Sequence, residues 1–170
     1  SRTNTITSSE FTTSATDRAN RAIGFDSSGD LTTIADFNPV GGDSALFQYS
    51  TTTTDSDPGG GYVRFNHATI SSATIMYVDD LDYNATDVSA WVQSFDDVSG
   101  NATNRGRIRV HKASDLGVWH SLKVSAAVTD ASGYTKITFV YIDGAGTLTN
   151  EDKVFLSFTA SGEDGAIPGY

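Results

Sequence analysis

From Ala45 to Phe158 the chain repeats one device: a short run in which apolar and polar residues alternate, closed by a Gly- or Asp-rich turn. Phe47 and Tyr49 alternate with Gln48 and Ser50, and Val63 and Phe65 with Tyr62 and Arg64. Ile75 to Val78 is a short apolar run. Ile108 and Val110 then alternate with Arg107, Arg109 and His111, and Leu122, Val124 and Ala126 with Ser121, Lys123 and Ser125. Ile137, Phe139 and Tyr141, then Val154, Leu156 and Phe158, complete the set. A period of two places alternate side chains on opposite faces of a strand, the signature of half-buried antiparallel sheet. About seven such strands predict an all-β fold, an antiparallel β-sandwich of jelly-roll or Ig-like type.

One segment breaks the period. Val88, Trp91, Val92 and Phe95 fall at i, i+3, i+4 and i+7, one face of a helix. Asp87 stands where an N-cap belongs. The spacing predicts a short helix over 88–96 that plugs one end of the sandwich, with Trp91 in the core. Trp119 alternates onto the polar side with Ser121 and Lys123, so it faces outward.

Residues 1–43 are polar and thinly apolar, with Phe11, Ile23, Phe25, Leu31, Ile34 and Phe37 widely spread. Ile23 to Phe25 and Leu31 to Ile34 flank a Gly-containing turn and predict a hairpin. A lone hairpin is marginal in water, so these six residues are the candidates for contact with another surface. The division expected is an extended arm over 1–43, a β-sandwich module over 44–161 and a Gly-containing tail over 162–170.

Net charge is −10, from 21 acidic against 11 basic side chains, which disfavours nucleic acid as a partner. The absence of cysteine excludes disulfides, thiolate metal sites and a cysteine nucleophile. No apolar run approaches 18 residues, so membrane insertion is not expected.

Asp55-Ser-Asp57-Pro-Gly-Gly opens like an EF-hand loop, but Gly59 stands where that loop requires an oxygen ligand and Asn66 where it requires a bidentate Glu. The stretch reads instead as a hairpin corner. Asp79, Asp80, Asp82, Asp96 and Asp97 could supply a glycosidase acid pair, but read better as surface acids. Arg105, Arg107, Arg109, His111 and Lys112 could hold an anion or an acidic glycan; pairing with the many aspartates is the plainer account. His67, His111 and His120 lack metal-ligand spacing. Tyr62 and Trp119 are the candidates for stacking on sugar. No catalytic set, metal site or cofactor is expected.

The run from Thr51 to Gly165 resembles a domain of bacteriophage tail-fibre and related virion proteins. The resemblance rests on "TTTTDSDPGGGYVRFNHATISSATIMYVDDLD", "DVSAWVQSFDD", "GRIRVHKASD", "VTDASGYTKITFVYIDGAGTL" and "VFLSFTASGEDG", in that order. "DRANRAIGFDSSGDLT" looks like the stretch that precedes such modules. It implies a non-enzymatic module of a virion fibre, usually a homotrimer ending in a Gly-x-y tract. Gly162 and Gly165 keep that spacing and Gly169 does not. The partners implied are further copies, other virion proteins and a bacterial surface glycan or receptor; the location implied is the extracellular phage particle. The alternative is a carbohydrate-binding β-sandwich module of a secreted or surface protein.

Overall fold

The structure, a computed structural model, describes residues 22–25, 31–34, 43–98 and 101–162. Phe11, Phe37 and the tail from 163 onward lie outside them, as do the side chains of Ile23, Phe25, Leu31 and Ile34.

The chain divides after Pro39 into two units. The first contains β1 (Ala22–Phe25) and β2 (Leu31–Ile34), paired antiparallel from Ala22 opposite Ile34 to Phe25 opposite Leu31. The hairpin expected from the sequence is present.

The second unit is built from β3 (Ser44–Ser50), β4 (Tyr62–Phe65), β5 (Ile75–Asp79), α1 (Ser89–Gln93), β6 (Gly106–Lys112), β7 (Asp115–Val124), β8 (Thr129–Asp130), β9 (Tyr134–Ala145) and β10 (Lys153–Ala160). The expected all-β, sandwich-like fold with one short helix is present, made from one large mixed sheet. Its strand order is β5-β4-β3-β10-β6-β7-β9-β8. Twelve-residue β9 serves two neighbours: Tyr134–Thr138 pairs with β5, and Phe139–Ala145 pairs with β7. The ladder thereby closes on itself, and two-residue β8 is a spur beside the start of β9.

The inward residues of the alternation fill this enclosure. Phe47, Val63, Phe65, Ile108, Val110, Leu122, Val124, Ile137, Phe139, Val154 and Leu156 are all buried in one cluster. Ala126 lies beyond the end of β7.

Helix α1, extended by a 3-10 turn over Ser94–Asp96, covers one end. Val92 and Phe95 are buried, whereas Val88 and Trp91 pack on the core from its rim. Trp91 is thus half-buried, standing edge-on to Phe95 at 4.8 Å between centroids. Asp87 Oδ1 accepts the amide and hydroxyl of Ser89. Val88 is the boundary residue, so Asp87 steadies the helix start from one position earlier.

The connection between β3 and β4 corrects the hairpin-corner reading. These strands run parallel, with Gln48 opposite Tyr62 and Ser50 opposite Arg64. A two-strand corner cannot join parallel neighbours. Eleven residues, 51–61, instead travel back along the sheet, and Asp55 reaches Tyr134 and Lys136 of β9. Arg64, outward by alternation, is buried because its guanidinium donates to the Ser56 and Asp57 carbonyls and the Ser56 hydroxyl.

Candidate functional site

The aspartates read as surface acids are mostly structural. Asp79 and Asp82 are buried and Asp80 is half-buried. Asp79 Oδ1 accepts the amides of Leu81 (2.8 Å) and Gly61 (3.3 Å). Asp82 Oδ1 accepts those of Asn84 (2.8 Å) and Thr86 (2.9 Å). A carboxylate close to its own backbone closes a turn in this way, and the turn hides it from water. Burial pushes the Asp79 carboxyl above its usual value, and neighbouring Asp57 pushes the same way. Asp80 is raised by burial and by the negative charges of Asp130, Asp87 and Asp57. Asp96 is engaged elsewhere, accepting the Val128 amide at 2.9 Å, and Asp97 is exposed. Among the described residues no three His, Asp or Glu side chains are grouped to hold a metal ion.

The basic residues also depart from their plainer reading. Lys112 does pair with an aspartate, Asp152, at 2.7 Å. Arg105 instead donates to the carbonyls of Asp96 and Val98, fastening the segment after α1. Arg107 and Arg109 are exposed, and among the described residues neither has a carboxylate within ion-pairing distance. The Arg109 guanidinium lies over the indole of Trp119, 4.7 Å from its centroid.

Strand register explains this meeting. On the outer face Leu46, Phe155, His111 and Trp119 form one row across β3, β10, β6 and β7. His111 stacks on Phe155 at 5.4 Å between centroids. Burial, and then the charge of Arg109, push its imidazole below the usual value, keeping it neutral near pH 7. The next row is Ser44, Ser157, Arg109, Ser121 and Asp143. The one beyond holds Thr159, Arg107, Lys123 and Val140.

Trp119 is half-buried, with Arg109 over one ring face, so it is not a bare stacking platform. Tyr62 lies on β4 and Trp119 on β7, separated by β3, β10 and β6 on one side of the closed ladder and by β5 and β9 on the other. The two sugar-stacking candidates are not brought together.

Sequence reasoning did not single out the cleft of about 340 Å³ at the opposite end from α1, lined in part by Tyr49, Ile70, His120, Tyr141, Gly144 and Leu148. His120 Nδ1 lies 3.4 Å from the Tyr141 hydroxyl; its buried Nε2 has no hydrogen-bond partner among the described residues. Burial lowers its basicity. His120, opposite Val110, is buried in line with Leu122 and Val124, but the cleft is made by the 68–71 and 144–148 segments, which carry no period.

Among the described residues no helix is long and apolar enough to cross a membrane. No protein-family model, curated protein or solved structure matches the chain.

Proposed function

We propose that this chain is a non-enzymatic structural component of a bacteriophage virion, a tail-fibre module acting in fibre assembly and host attachment. The observation that carries the reading is the division of the chain into a small hairpin unit and a closed β-module. A pair of four-residue strands does not hold itself together in water. In this reading the 1–43 arm takes its surface from further copies of the chain or from another virion protein. A homotrimer around one axis supplies such a surface three times over. The resemblance of the 51–165 run to virion fibre domains supports the same reading, as does its Thr-, Asp- and Gly-rich, cysteine-free composition.

Sedimentation of the full chain and of a 44–170 truncation tests it. The full chain is expected to sediment as a trimer, and the truncation as a folded, cooperatively melting monomer. An insoluble or molten truncation would mean that the arm belongs to the core, and a monomeric full chain would remove the assembly role.

The second reading, a carbohydrate-binding module of a secreted or surface protein, is favoured by Arg109 and Trp119 meeting on an open sheet face. Assembly state separates the two, since such a module has no need to oligomerise.

A further inference from the structure

We infer that the outer face of β6 and β7 binds an extended carboxylated polysaccharide, with Arg109, seated over the Trp119 indole, as its main anion contact. The inference deepens the attachment half of the proposed function and rests on it.

Three cations gather there. Arg107 and Arg109 are two residues apart on one face of β6, about 7 Å along the strand. Lys123 of β7 stands directly opposite Arg107. Among the described residues none of the three has a carboxylate at ion-pairing distance. That is unexpected in a chain with 21 acidic side chains, where a purely structural arginine would find a local partner. The carboxylate nearest in register, Asp143, stands opposite Ser121, and its Oδ1 accepts the Gly144 amide.

The indole defines what the cation can do. A guanidinium stacked on an aromatic ring gives up little further freedom on binding, and its edge still presents parallel N–H donors. That fork fits a carboxylate in bidentate fashion. Ser157 and Ser121 flank Arg109 in the same row; the Ser157 hydroxyl donates to the Arg109 carbonyl at 3.5 Å and keeps its acceptor capacity for a sugar. His111 on Phe155 gives an uncharged, flat floor beside them.

Charge complementarity chooses an anionic occupant, and the open sheet face suits an extended chain more than an enclosed small molecule. Single-stranded nucleic acid fits less well. Its bases need uncovered rings, and Arg109 already covers one face of Trp119.

The test uses the full chain titrated with polygalacturonate, neutral dextran and an oligodeoxythymidine at about 50 and 200 mM salt. Polygalacturonate is expected to bind, more weakly at the higher salt, and dextran not to bind. The Arg107→Gln/Arg109→Gln variant is expected to lose about tenfold or more in affinity. Lys136→Gln, on a cation paired with Asp55, is expected to bind like the parent. Lys123→Gln, expected to weaken binding in the same direction, keeps the test decisive if the double variant does not fold. No binding of polygalacturonate, binding equal in the arginine variant, or oligodeoxythymidine binding as tight would each overturn the inference. A chain that sediments as a trimer yet ignores polygalacturonate overturns this inference alone and leaves the fibre reading standing.

Discussion

Phe95 of the segment following α1 lies nearly parallel to Phe158 of β10, their ring centroids 4.1 Å apart and their planes at 13°. This stack joins the helix to the β-module. It also fixes Gly106, where a Cβ would fall 2.5 Å from the Phe158 ring and 2.6 Å from the Thr159 carbonyl oxygen.

Phe95→Ala is therefore expected to cost about 3–5 kcal/mol, the usual range for a buried aromatic truncated to alanine. Trp119→Ala removes a half-buried ring from the outer face and is expected to cost clearly less. Denaturant unfolding of both variants measures the difference. Equal losses would mean that the helix end is not part of the core.

Asp80 faces Asp130, Asp87 and Asp57 with its carboxyl raised by burial and by their charge. A carboxyl raised in the folded state binds a proton more readily there than in the unfolded chain. Lowering pH from above its folded value toward the ordinary carboxylate value near 3.9 thus adds stability through this group. Asp80→Asn is expected to raise Tm at pH 7, with the advantage shrinking as pH falls through that window. A Tm gain that does not depend on pH would rule out charge as the cause.

Of the acids that could supply a glycosidase pair, Asp79 and Asp82 are buried on backbone amides and Asp96 accepts the Val128 amide. The purified chain is expected to release no reducing ends from bacterial polysaccharide. Cleavage abolished by Asp80→Asn or Asp97→Asn would place the protein in another class.

The strands and the helix were legible because each depends on local periodicity. The inward set from Phe47 to Leu156 is buried as read except for Ala126 and Tyr141, which are half-buried, and Val92 and Phe95 reach the core as their spacing predicts. Alternation carries no information on strand direction, which is why the 51–61 crossing looked like a corner. It was equally silent on what later covers an outward side chain. Arg64 is buried by Ser56 and Asp57, and Asp79 by the turn it ties, through contacts that follow from the crossing. Two-residue β8 is too short to show a period. The Arg109–Trp119 pair follows from the register between β6 and β7, unbroken from Gly106 opposite Val124 to His111 opposite Trp119, which alternation alone does not fix.

Membership of a virion fibre is the central claim, and gold-labelled antibody against the 44–161 module, imaged on native phage particles, tests it most directly. The account expects label on the fibres, at a fixed distance from the particle body, and on every intact particle. Label absent from purified particles while the protein is found free or on a cell surface would contradict it.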